Sequence, residues 1–120
     1  MNTLFGLVLA PLFVAIAQVE SNDGAASDNV YQIAPAYVDD VNRILGEDRY
    51  AHDDVKDRAK SQEMMEIYWR FYGTRYRRST GLEPTAEVLA RMHNGGPNGW
   101  RVHATEVYWH KVKDKLEEEG

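Results

Sequence analysis

The sequence predicts a mainly α protein, one small helical domain with little or no sheet. Three observations lead there. Apolar residues recur at three- and four-residue spacing in several separate runs, the period of a helix buried on one side. Cap residues and helix breakers stand at the ends of those runs: Asp57 and Thr85 before two of them, Gly46 and Gly95 at the end of two. The chain has 120 residues, the size of a single domain, and its 43% hydrophobic and 28% charged residues suffice for one core. It contains no cysteine, which excludes disulfides and thiolate metal ligands. A formal net charge of −5 argues against nucleic acid as a partner, because binding phosphates requires a basic face.

The first stretch admits two readings. Thr3 to Ala17 is almost wholly apolar, and Ala15-Ile16-Ala17 has the small-x-small form of a signal-peptidase site, although no lysine or arginine precedes it. Gly6 and Pro11 interrupt the run, which is too short for a comfortable membrane span. Alternatively, Leu12 to Gln18 is the first core helix and leads into Glu20. We take the core helix from Pro11 onward, with residues 1–10 as a candidate leader and 11–117 as the domain. Ser21 to Asn29 (SNDGAASDN) is a loop by composition, and Val30 to Ile33 suits a short extended segment.

Pro35 fits the first turn of a helix that carries Tyr37, Val38, Val41, Ile44 and Leu45 on one face and stops at Gly46. Glu47 to Val55 is a charged connection. Asp57 caps the longest helix, with Met64, Ile67, Tyr68, Phe71 and Tyr72 on its apolar face and the basic cluster Arg75, Arg77 and Arg78 at its end. Gly73 inside it costs about 1 kcal/mol against alanine, which points to close packing there. The aromatic set Tyr68, Trp69, Phe71, Tyr72 and Tyr76 reads as core. Gly81 to Pro84 is a turn, Thr85 caps the next helix, and Thr105 caps the last, whose buried stripe is Val107, Tyr108, Val112 and Leu116.

One string exceeds what a helix stop requires. Arg91-Met92-His93-Asn94-Gly95-Gly96-Pro97-Asn98-Gly99-Trp100 ends an amphipathic helix and packs three glycines and a proline into five positions. Gly95 or Gly96 is placed for a left-handed conformation, and Pro97 prevents helix continuation. So many breakers describe a loop held in one shape.

That string, followed by Ala104-Thr105 and Tyr108-Trp109-His110-Lys111-Val112, resembles the invertebrate-type (destabilase-like) lysozyme family, and most of all its cysteine-free bacterial lysozyme-like and transglycosylase-like relatives. Val19-Glu20-Ser21, Tyr31-Gln32-Ile33 and Ala36-Tyr37 extend the resemblance from about Leu12 to Lys113. It implies a lysozyme-like fold and a glycosidase acting on the β-1,4 bonds of peptidoglycan outside the cytoplasm, with no cofactor. Two departures stand out. Trp100 occupies a place where animal members commonly carry a cysteine, and the glycine-containing hairpin of bacterial relatives is largely deleted between Asp28 and Tyr31.

Cleaving a glycosidic bond takes an acid to protonate the leaving oxygen and, as a rule, a second carboxylate at the sugar centre. An acid that holds its proton near neutral pH needs a desolvated site. Glu20, at the end of an apolar helix bearing Phe13, Ile16, Ala17 and Val19, has such a setting, and the resemblance matches it to the family's catalytic glutamate. The resemblance aligns the second carboxylate with Asp28, or alternatively Asp23. With neither in place, the substrate's own N-acetyl or hydroxyl group completes the reaction, as in a lytic transglycosylase. Tyr31, Gln32, His93 and Asn94 are the candidate substrate-binding residues, by aromatic stacking and amide hydrogen bonds; Tyr31 equally suits the core, and His93 and Asn94 alternatively buttress Glu20. The histidines lack metal-ligand spacing, so no metal site is expected. The competing reading is a non-catalytic wall-binding or structural protein on a degenerate scaffold. Isopeptidase activity, known among animal relatives, has no matching serine-lysine pair here.

Overall fold

The computed structural model describes residues 3–22 and 28–119, with side chains from Leu9 to Ser21 and from Asp28 on. Five helices account for most of it: α1 Thr3–Asn22, α2 Pro35–Leu45, α3 Arg58–Thr80, α4 Ala86–Gly95 and α5 Glu106–Glu119. Short 3-10 turns at His52–Lys56, Gly99–Arg101 and His103–Thr105 join them, and no strand occurs among the described residues. The mainly α expectation is met. No helix among the described residues is long and apolar enough to cross a membrane.

Local chemistry sets most helix ends. Pro35 opens α2, and Gly46 closes it at φ 75°, donating its N–H to the carbonyls of Asn42 and Arg43. Asp57 accepts from the Lys60 N–H at 3.0 Å and Thr85 from the Val88 N–H at 3.2 Å, so both expected caps form. Helix α1 is longer than the sequence suggested. It starts at Thr3 and runs through Pro11, whose ring lies on the solvent side, and Leu9 is 4% exposed in the core.

Helix α1 packs on α5 and α4, α2 packs on α3, and α4 packs on α5 and the turn at Gly99–Arg101. Trp69 lies fully buried at the centre, stacked on Phe13 at 5.7 Å, and donates its indole N–H to the Leu89 carbonyl at 2.9 Å. That bond satisfies the one polar atom of the largest core side chain. Gly73 does mark a close approach, because a Cβ there would meet Pro84 Cγ at 3.1 Å. Buried Asn42 organises the connection after α2: its amide donates to the Tyr50 carbonyl, and its oxygen accepts from the backbone of Arg49 and Tyr50.

Four local expectations are corrected. Val30 to Ile33 forms a turn, built by Asn29, whose side chain bonds both the N–H and the carbonyl of Ile33. Phe71 and Val107 are exposed, since each helix meets its neighbours over a narrower stripe than its apolar residues span. Thr105 serves the preceding loop: its hydroxyl accepts from Arg91 Nε and donates towards the Gly99 and Val102 carbonyls.

Candidate functional site

Glu20 sits near the C-terminal end of α1, and its neighbours come from the far end of the sequence. One carboxylate oxygen, Oε2, accepts from the Tyr108 hydroxyl of α5 at 3.0 Å and lies 3.9 Å from Nε2 of His93 on α4. The Glu20 side chain is 14% exposed. The packing of α1 on α4 and α5 therefore assembles the group, which no local pattern could do.

His93 is held more tightly than a ligand-contacting residue would be. Its side chain is 1% exposed, and Nε2 is 2.8 Å from the backbone carbonyl of Tyr31. A carbonyl only accepts, so Nε2 carries the hydrogen. Burial lowers the His93 pKa to about 4, partly opposed by the Tyr31 carbonyl. The ring is thus neutral near pH 7, and its 3.9 Å approach to Glu20 is not an ion pair there. At 1% exposure, and with Nε2 donating to the Tyr31 carbonyl, His93 fits the role of a buttress beside Glu20 better than that of a substrate contact. It ties the Tyr31–Gln32 turn to α4.

Tyr31 is likewise turned inward. It is 1% exposed, packs edge-on against Phe13, and its hydroxyl accepts from Gln62 Nε2 at 2.8 Å. A ring so enclosed offers no stacking face to a sugar. Gln32 differs: it is exposed and holds φ 52°, a left-handed conformation unusual for a residue with a side chain. Its amide donates to the Asn29 carbonyl at 2.9 Å. Asn94 is exposed beside His93, and Asp28 is exposed at the start of the same turn; Asp23 lies outside the described residues.

The 93–99 loop that carries Asn94 is fixed from both sides. Gly96 takes φ 88° and ψ −174°, a region accessible essentially to glycine alone, and donates its N–H to the Met92 carbonyl at 2.8 Å. Nothing lies within 4 Å of a Cβ built there, so Gly96→Val tests backbone strain without a clash. It should cost about 1–3 kcal/mol in a denaturant titration. An unchanged midpoint would show that the loop is not conformationally constrained at this position. Behind the loop, buried Arg91 donates to Thr105 Oγ1, Glu87 and the Val102 carbonyl at 2.8, 2.7 and 3.0 Å.

The sequence missed Tyr108 as a site residue because its place in the α5 stripe marked it as core. The available signal was its hydroxyl, which needs a partner when the ring is buried. Tyr37, which the spacing of α2 marks only as core, also joins the group. Its ring stacks on Tyr68 at 4.1 Å and meets His93 edge-on at 5.7 Å. Tyr37 Oη and His93 Nδ1 are buried without a hydrogen-bond partner among the described residues. Desolvation, with Tyr68, Tyr108 and Asp40 adding to it, holds the Tyr37 pKa well above its ordinary value, so its hydroxyl keeps its proton. Among the described residues, no cluster of His, Asp and Glu could hold a metal ion.

The buried histidine makes stability depend on pH. Its folded pKa is depressed from 6.5 to about 4, so the neutral ring's contribution is complete above about pH 6.5 and is lost as pH falls towards 4. The difference corresponds to about 3 kcal/mol across that window. Denaturant titrations at pH 7, 5 and 4 should show this loss in the parent and a shallower one in His93→Gln. Identical acid slopes would remove His93 as the cause.

No protein-family profile matches the chain. Part of it is similar to two oyster lysozymes: 48% identical over 42 residues to lysozyme 1 of Crassostrea virginica, and 49% identical over 43 residues to a lysozyme of Magallana gigas. Each match covers about a third of this chain (35% and 36%), and spans 23% and 31% of those relatives.

Proposed function

We propose that this chain is a lysozyme-type glycosidase that cleaves the β-1,4 bond between the amino sugars of peptidoglycan, with Glu20 as general acid. The observation that carries this reading is a largely buried glutamate at the end of an apolar helix, with one oxygen held by the Tyr108 hydroxyl. The partial likeness to oyster lysozymes supports the same reaction class. In this reading Glu20 gives its proton to the leaving oxygen, and the Tyr108 hydroxyl donates to the carboxylate left behind. Tyr108 fixes the rotamer of the acid; His93 fixes the turn that follows Asp28. Gln32 and Asn94, both exposed, supply amides for the hydroxyl and N-acetyl groups of the sugars. Asp28 supports the developing positive charge at the sugar centre, or the substrate's own N-acetyl group takes that part. The substrate places the enzyme outside the cytoplasm.

Purified peptidoglycan incubated with the chain should lose turbidity and release sugar fragments. New reducing ends identify water as the acceptor, and anhydro-sugar ends identify intramolecular attack. A chain that sediments with peptidoglycan yet releases no fragment is a wall-binding protein, and the glycosidase reading falls.

A further inference from the structure

A second site lies on the other side of the same loop. Between the C-terminal half of α3 and the segment Pro97–Arg101 is a cavity of about 340 Å³ whose walls include Tyr72, Arg75, Tyr76, Trp100 and Arg101. None of Glu20, Gln32, His93 or Asn94 lines it, and neither does any aspartate or glutamate. The Arg75 guanidinium lies 4.8 Å from the centre of the Tyr72 ring, and that of Arg101 lies 5.1 Å from the Trp100 ring. Trp100 itself is braced edge-on by Tyr76 at 4.9 Å.

The charge balance is the unusual feature. Arg43, Arg49, Arg70, Arg77 and Arg91 each pair with a carboxylate of this acidic chain. Among the described residues Arg58, Arg75, Arg78 and Arg101 form no ion pair, and of these Arg75 and Arg101 face one cavity. Stacking on an aromatic ring restrains a guanidinium by its face and leaves its N–H edge for a planar acceptor. Arg101 spends one such group on Asn98 Oδ1 at 3.1 Å, which further fixes its direction. Two guanidiniums that face one cavity with no carboxylate in its lining favour an anion held there. A carboxylate matches the guanidinium fork in shape, and the Trp100 and Tyr76 rings offer an apolar wall for what the carboxylate is attached to. The volume suits one or two amino-acid residues.

We propose that this pocket binds a carboxylate borne on a small apolar stem, such as the end of a short peptide, through Arg75 and Arg101. Taking the stem peptide of peptidoglycan as its source rests on the glycosidase reading; the pocket's chemistry does not. On that reading the loop carries the sugar site on one side and a peptide site on the other.

The test is titration of the parent protein, followed by backbone and indole NMR shifts, with four probes. These are muramyl dipeptide, its carboxyl-amidated form, N-acetyl-D-alanyl-D-alanine and the neutral trimer of N-acetylglucosamine. The two carboxylate probes should shift Trp100 and Arg101, and amidation should weaken binding at least tenfold. The Arg75→Gln/Arg101→Gln double variant should weaken it at least tenfold too, while Glu20→Gln leaves it unchanged. Both arginines are exposed, so folding should survive; the acid–amide comparison on the parent needs no variant. Tighter binding of the muramyl peptide supports the wall as source, and equal binding of the free dipeptide supports a free peptide. Equal binding of the amidated probe overturns the proposal, as does inorganic phosphate binding as tightly as the carboxylates. A chain that binds the carboxylate probes but lyses no wall keeps the pocket and loses the glycosidase; lysis without such binding does the reverse.

Discussion

Replacing Glu20 by glutamine should leave the helical fold in place and lower peptidoglycan cleavage by about 10²–10⁴-fold. Glutamine keeps the volume, and its amide oxygen still accepts from the Tyr108 hydroxyl, which the structure places at 3.0 Å. What it loses is the transferable proton. The expected pattern is a fall in kcat with little change in affinity for the polymer, because the proton matters in the transition state and not in binding. Tyr108→Phe should cost less, since it removes only the group that holds the acid in place. Asp28→Asn should also cost less if the substrate's N-acetyl group shares its task. Circular dichroism and sedimentation with peptidoglycan separate a folding defect from a chemical one. A Glu20→Gln protein that clears wall suspensions as fast as the parent would show that the acid lies elsewhere.

Gly99→Ala should be the most damaging alanine substitution among the glycines of the described residues. A Cβ there would collide with the Arg91 carbonyl oxygen and stand 3.5 Å from Met92 Cα, both backbone groups within α4 that cannot rotate away. Gly99 also donates its N–H to the Gly96 carbonyl at 2.8 Å and accepts from Thr105 Oγ1 at 2.7 Å. One methyl group therefore lifts the loop from the helix and strains both bonds. Such overpacking costs about 3 kcal/mol, which for a domain of this size lowers Tm by roughly 10 °C. Gly73→Ala is the informative control. Its Cβ meets only a proline side-chain atom at 3.1 Å, and the helix gains about 1 kcal/mol of propensity, so the net change should be small. Equal melting temperatures for Gly99→Ala and the parent would refute the close approach of loop and helix.

The helices were legible because their causes are local. Asp57, Thr85, Pro35 and Gly46 act within four residues of themselves, and the apolar spacing of α2 and α4 is read directly from neighbours in sequence. The same locality explains the misses. An apolar residue at the edge of a stripe, such as Phe71 or Val107, is buried only if a neighbouring helix covers it. Phe71 meets α2 through the Arg43 guanidinium at 5.8 Å and stays exposed, as does Val107. The turn at 29–33 was read as extended because its maker, Asn29, works through side-chain bonds to Ile33 that composition does not reveal.

For the site, the sequence by itself determined which residue types were available: a glutamate closing an apolar helix, the amides of Gln32 and Asn94, and a loop rich in glycine and stopped by proline. Tertiary structure alone decided their surroundings. It brought Tyr108 from 88 positions away onto the Glu20 carboxylate, and it spent the His93 hydrogen on a carbonyl 62 positions away. It also left Arg75 and Arg101 without carboxylates around one cavity, in a chain whose formal net charge is −5. The physical reason is that desolvation and hydrogen-bond partnership belong to the space around a group. That space is filled by segments distant in the chain, whose approach is set by the packing of whole helices.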